Sequence, residues 1–318
     1  MAAAISTWGG QFGRFAQLVV SSGSQGIDLS NLRIRFEVRA SDVETPNTLV
    51  ARVYNLADET RNKIIAEYNT VTLSAGYQNG AKGIIFQGDI KQFFHGRERN
   101  VDKFLEIRAG DGDKVYNSAI INQTMPAGVT DEQQLATIAK AMGIPVAPTA
   151  NGYLTTGGIL PRGKTMWGMA RLEMQRLARK NNCRWSIQNG QIVLVPDTGY
   201  LPGQAVEINS ASGMIGAPEQ TDNGIIVRCL LNPLIQIGQA VRINNADINS
   251  GPNTPVLGFP SWTSQYYPAT VSDDGLYRVL VVEHLGDTRG EGDDFYTELV
   301  CLDIDPSASA ANSVLANG

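Results

Sequence analysis

Residues 31–56, NLRIRFEVRASDVETPNTLVARVYNL, alternate apolar and polar positions in two runs, the period of strands with one buried face. A short helix follows in ADETRNKIIAEY, with Asp58 as its candidate N-cap. The stretch VTLSAGYQNGAKGIIFQGDIKQFFHGRERNVDKFLEIRAGD predicts three further strands. Between 119 and 200 the pattern changes. TDEQQLATIAKAMG has helical spacing and a capping box from Thr130 to Gln133. TMWGMARLEMQRLARKNN has helical spacing as well, with Thr165 as candidate N-cap. Two alternating runs then flank Asn189-Gly190, which predicts an antiparallel hairpin over CRWSIQNGQIVLVP. Strands return in GIIVRCLLNPLIQIGQAVRI and continue to Asp305, and PSASAANSVLANG reads as a loose tail.

This division gives residues 1–118 as a first β module, 119–200 as an inserted helix-containing α/β domain, 201–305 as a second β module and 306–318 as a flexible tail. The two β modules resemble each other. GIIFQGDIKQFFHGRERNVDKFLEIRAGD at 83–111 and GLYRVLVVEHLGDTRGEGDDFYTELVCLD at 275–303 each read as a long strand, a histidine, a charged turn, an aromatic and a second strand ending in an acid. VTLSA and AVRIN precede them as shorter alternating strands, and the chain's two histidines, His95 and His284, fall at the matching place. The pattern predicts a duplicated hairpin module.

Glycine-rich turns between short strands set the class as α+β, mainly β. The N-terminus lacks a charged-then-apolar leader and no run approaches the ~20 apolar residues that cross a bilayer, so the expectation is a cytosolic chain with no membrane partner. Cys183, Cys229 and Cys301 sit in strand-like runs without metal-ligand spacing, which predicts buried, reduced thiols. The net charge of −5 conceals a gradient. Residues 201–318 carry 4 basic and 14 acidic side chains, a surface that repels nucleic acid.

Three motifs look chemical. GILPRGKT at 158–165 matches the phosphate-loop template through Gly158, Gly163, Lys164 and Thr165. Its context argues against an ATPase: TANGYLTTG is no buried parallel strand, Pro161 removes a phosphate-cradling N–H, and IVLVPD belongs to the antiparallel hairpin. The expectation is a loop, a helix start and Lys164 in solvent. His284, Asp287, Glu291, Asp293 and Asp294 are of ligand type but lack calcium or zinc spacing, and read as a solvated charged turn. Neither histidine neighbours a nucleophile elbow, so a cell-wall hydrolase has no positive support. Met166, Trp167, Met169 and Met174 read as one core stripe of a helix. No catalytic, cofactor-binding or metal-binding residues are assigned.

IIFQGDI at 84–90, WSIQNGQIVLVP at 185–196, GMIGAPEQTDNGIIVRCLLNPLIQIGQAVRI at 213–243 and YRVLVVEHLGDTRG at 277–290 together resemble the baseplate hub proteins of contractile-tailed bacteriophages, the late control protein D-like tail hubs. The resemblance implies a structural protein of the virion tail baseplate, not an enzyme, assembled in the host cytoplasm. It also implies a homotrimer of two tube-like antiparallel β-barrel modules per chain, adapting the six-fold tail tube to the three-fold central spike. Its partners would be tube proteins, the spike and other baseplate proteins, with DNA only as transiting cargo; the acidic C-terminal third suggests that negative side chains line the exit channel. The alternative is a tip component of a non-contractile tail.

Overall fold

The computed structural model describes residues 13–98, 101–154, 158–221, 224–244, 275–290 and 294–303. The first strand set comprises β1 (Arg14–Ser22), β2 (Gln25–Asp28), β3 (Ile34–Ser41), β4 (Thr48–Tyr54), β5 (Thr70–Tyr77), β6 (Lys82–Glu98) and β7 (Asp102–Gly110). They lie side by side, all antiparallel, in the order β3–β4–β7–β6–β5–β1–β2. Alternation sets the faces: Ile34, Phe36 and Val38 of β3 are buried while Arg35, Glu37 and Arg39 are exposed. Helix α1 (Asp58–Glu67) closes the connection between β4 and β5 and buries Ile64. Its N-cap is Ala57, without a side-chain hydrogen bond, and Asp58 is the first helical residue, where an acid favours the positive helix end. The expected cap is therefore one residue off.

The middle of the chain forms α2 (Asp113–Ser118), β8 (Ile120–Met125), α3 (Asp131–Met142), β9 (Lys164–Met169), α4 (Ala170–Lys180), β10 (Cys183–Gln188) and β11 (Gln191–Pro196). Helix α3 carries the predicted capping box, with Thr130 and Gln133 bonded reciprocally. The hairpin β10–β11 turns at Asn189 and Gly190, whose φ of 51° and 75° are those of a primed turn. The second helix begins later than its periodicity suggests. Thr165 lies in β9, paired antiparallel with β8, and α4 starts at Ala170 with Met169 as N-cap. Pairing along β8 outweighs the helical spacing of TMWGM, which fits both periods. The supposed core stripe is consequently divided: Met166 and Met174 are buried, but Trp167 points outward with 77% exposure.

The second strand set comprises β12 (Val206–Ile208), β13 (Glu219–Thr221), β14 (Gly224–Leu230), β15 (Ala240–Ile243), β16 (Leu276–Asp287) and β17 (Phe295–Leu302). Its order, β13–β14–β17–β16–β15–β12, repeats β3–β4–β7–β6–β5–β1 strand for strand. The one difference is that β12 pairs with β15 in parallel whereas β1 pairs with β5 antiparallel. Each hairpin has a register shift, at Lys91 between Ile90 and Gln92 and at Leu280 between Val279 and Val281. His95 and His284 each lie four residues beyond that shift, so the duplication seen in the sequence is present in the pairing. Arg52 meets Glu106 at 2.6 Å and lies over the Phe104 ring, and Arg228 meets Glu298 at 2.6 Å and lies over the Tyr296 ring, at equivalent places in the two sets.

The two sets share a junction. Val281–Asp287 of β16 pairs antiparallel with β3, so the strands run through as one 13-stranded sheet. Among the described residues neither set closes on itself as a barrel, because the far edge of β16 is taken by β3. Opposite Phe36 stands Gly286, where a Cβ would fall inside van der Waals contact of the ring. Phe36 and Tyr77 in turn meet Phe295 of β17 edge-on, with ring centroids 6.1 and 5.5 Å apart, so the core of the first set extends into the second. Replacing Gly286 with Val should cost about 1–3 kcal/mol by overpacking, read from the urea midpoint, and adding Phe36→Ala should remove the clash component. Unchanged stability in Gly286→Val would contradict the described junction.

Candidate assembly surfaces

The phosphate-loop match is occupied by other interactions. Gly158 accepts the Asp131 N–H, and Leu160 exchanges backbone hydrogen bonds with Val129 and Gly128. Lys164 is the first residue of β9, with Nζ 3.0 Å from the carboxylate of Glu173, which is buried. Thr165 Oγ1 lies 3.2 Å from Thr124 Oγ1 across the strand pair. Lys164 is thus held by a carboxylate rather than in solvent, and its loop leads into an antiparallel strand, not a phosphate-facing helix end.

Two members of the C-terminal cluster are withdrawn from solvent, while Asp294 is exposed. His284 is buried, with Nδ1 2.9 Å from Thr297 Oγ1. That hydroxyl also accepts the Asn232 N–H at 3.0 Å, so the imidazole sits in a closed, buried hydrogen-bonded site. Burial pushes the His284 pKa down to about 4. Asp287 is buried and bonds the Arg33 guanidinium at 2.6 Å and the Arg289 N–H at 3.0 Å. Burial opposes its charge, yet these partners hold it below the usual carboxylate range. Glu291 and Asp293 lie outside the described residues. Among the described residues no group of three or more His, Cys, Asp or Glu could hold a metal. Cys183, Cys229 and Cys301 are free and buried, and burial raises their pKa values, to about 11 for Cys183 and about 12 for Cys229.

What the geometry does present is surface. The solvent face of the sheet carries a belt of paired opposite charges: Arg52 and Arg108 on Glu106 at 2.6 and 2.8 Å, Arg39 on Glu283 at 3.1 Å and Arg228 on Glu298 at 2.6 Å. Burial raises Glu106, but its hydrogen bonds to Arg52 and Arg108 outweigh it and hold the carboxyl below its ordinary value. Phe94 lies on this face beneath the Arg108 guanidinium and is 38% exposed. A second patch, on β8–β9, exposes Ile120 and Trp167.

A buried charge cluster fixes how the three parts of the chain meet, and nothing in the linear pattern announced it. Arg278 of β16, 1% exposed, donates to the carbonyls of Pro196 and Asp197 at 2.7 and 3.0 Å and approaches Asp42 at 3.7 Å. Arg184 of β10 joins Asp42 at 3.0 Å and Asp197 at 3.3 Å. Burial pushes the Arg278 guanidinium down and the Asp42 carboxyl up, against their mutual attraction. Asn47 adds hydrogen bonds to the Ile187 carbonyl and the Gln188 side chain, so the β3–β4 turn carries the β10–β11 hairpin.

The fold is similar to those of solved tail proteins. The 43 kDa tail protein of prophage MuSo2 from Shewanella oneidensis aligns with a TM-score of 0.54 at 8% identity, over 91% of this chain and 98% of that one. A tail protein from Neisseria meningitidis MC58 aligns with a TM-score of 0.57 at 9% identity, over 92% and 97%. At such identities the likeness is one of fold. No curated protein matches the chain by sequence. The sequence profile of the baseplate hub gp41 family matches residues 18–254, and the chain belongs to that family of phage tail components.

Because His284 has a folded-state pKa below its unfolded value of about 6.5, its neutral form supports the fold fully above that pH, and the support fades as pH falls towards 4. The expected loss from this residue between pH 7 and pH 4 is about 3 kcal/mol. Urea unfolding across that range should show a steeper acid loss for the wild type than for His284→Gln; equal slopes would contradict the buried neutral imidazole.

Proposed function

We propose that the chain is the structural hub of a contractile-tail baseplate, acting as a homotrimer between the six-fold tail tube and the three-fold central spike. The observation that carries this reading is the repeated strand order within one continuous sheet. Three chains that each supply two similar units offer six to a six-fold partner while keeping three-fold symmetry towards a spike. Residues 1–118 and 201–305 would be the two tube-like modules, whose barrel character is completed in the ring, with 119–200 inserted between them and 306–318 as a tail. Partners would be tube proteins, the spike and other baseplate proteins, met during assembly in the host cytoplasm.

In this arrangement the polar sheet face lines part of the DNA exit channel. Arg39, Arg52, Arg108 and Arg228 on it are engaged by Glu106, Glu283 and Glu298, which reduces the free positive charge that phosphates could grip. That balance of paired charges replaces a purely acidic lining as the reason that DNA passes without adhering. The hub has no catalytic step in this reading, and its work is to hold geometry.

Light scattering of the purified chain should give about three times the 34.3 kDa subunit mass. A mass that stays at one subunit, alone and after co-expression with the spike, would reject the trimeric hub.

A further inference from the structure

Strand β6 is longer than its neighbour. β5 covers it from Lys82 to Asp89, and beyond that point β7 pairs with one side only. Among the described residues no strand pairs with the other side between Gln92 and Glu98. An uncovered run of this length, with Phe94 and His95 exposed, is an edge that another strand can extend.

The second strand set supplies the template. When the register shifts at Lys91 and Leu280 are matched, Gln92–Glu98 corresponds to Val281–Asp287. That half of β16 is covered by β3 of the same chain, and its histidine is buried where His95 is exposed. The equivalence also identifies the occupant. Arg52 and Arg228 take the same place, so Val50 corresponds to Ile226, and their partners Glu37 and Glu219 correspond in turn. β13 is therefore the counterpart of β3.

We propose that the β13 strand of a second copy of this chain pairs antiparallel with the β6 edge at Phe94–Gly96, within the uncovered run Gln92–Glu98. The pairing rests on the trimeric reading and provides its contact. Carrying the β3–β16 register across sets Glu219 opposite Gly96, Gln220 opposite His95 and Thr221 opposite Phe94, with no like charges facing each other. Pro218 falls opposite Arg97 at a hydrogen-bonded position and lends its carbonyl but no N–H, so one bond is absent at this end of the ladder. The two surfaces differ, so the contact is head to tail and closes into a ring when the rotation allows.

The register names a cross-link. In the template, Thr288 N–H donates to the Ile34 carbonyl and Asp42 N–H to the Leu280 carbonyl, which makes Arg39 and Glu283 a non-hydrogen-bonded pair. Their side chains do meet, at 3.1 Å. Phe94 and Thr221 inherit that position, where Cα atoms lie about 4.5 Å apart, within disulfide range. Under mild oxidation the double variant Phe94→Cys/Thr221→Cys should form covalent species up to the trimer, and neither single variant should do so; the three native thiols are buried. Independently of any variant, the amides of His95 and Arg97, which face the uncovered side of β6, should exchange about tenfold more slowly in the wild-type oligomer than after dilution to monomer. A trimer that neither cross-links through this pair nor protects these amides overturns the edge and leaves the trimer standing. Dimers from Phe94→Cys alone overturn it in favour of a β6–β6 contact. A monomeric wild type defeats the hub reading and the edge together.

Discussion

The ladder between β3 and β16 is the constraint on which the rest of this structure depends. It joins residues more than two hundred positions apart and turns two strand sets into one sheet. Without it each set would expose a hydrophobic edge, and the rings of Phe36, Tyr77 and Phe295 would lose their common site. Gly286 permits the approach by leaving room for the Phe36 ring, and Arg33 holds Asp287 at the end of the strand. At the other end Asp42 donates its N–H to the Leu280 carbonyl, bonds the Arg184 side chain through its carboxylate and faces the charge of Arg278.

These buried charges are weak candidates for raw stability, because removing guanidinium and carboxylate groups from water costs as much as their attraction returns. Their directional bonds are better read as setting position. Arg278 reaches carbonyls at the end of β11, and Arg184 links β10 to the β3–β4 turn, so the middle of the chain is held in one orientation on the sheet. A hub of the kind proposed needs that rigidity, since its role is to present two similar surfaces at a fixed angle. The two surfaces differ in one respect that matters for assembly: the β16 edge is satisfied within the chain, while the equivalent β6 edge is uncovered among the described residues.

Much of this was legible in the sequence where the signal is local. Asn189-Gly190 specified its hairpin because two adjacent left-handed residues suit that turn, and Thr130 with Gln133 specified a helix start because both groups satisfy exposed N–H groups. The repeat was visible because both hairpins retain a histidine at the same distance beyond the register shift. Non-local facts were not legible. Thr165–Met169 has a spacing that serves helix or strand, and only its pairing with Ile120–Met125 decides; Trp167 accordingly faces outward. His284 and Asp287 look like members of a solvated turn until β3 covers them, and no pattern along the chain reveals that the second hairpin packs on the first module's strand. Barrel closure failed as an expectation for a single chain for the same reason, because β3 takes the edge of β16 that closure would need.

The central claim is that the two strand sets of each chain act as equivalent units, so that three chains form a ring of six. Class-averaged electron micrographs of the purified oligomer test this most directly. The account predicts an end-on ring with six similar lobes and overall three-fold symmetry. A ring with three lobes, or a two-fold dimer, would contradict it.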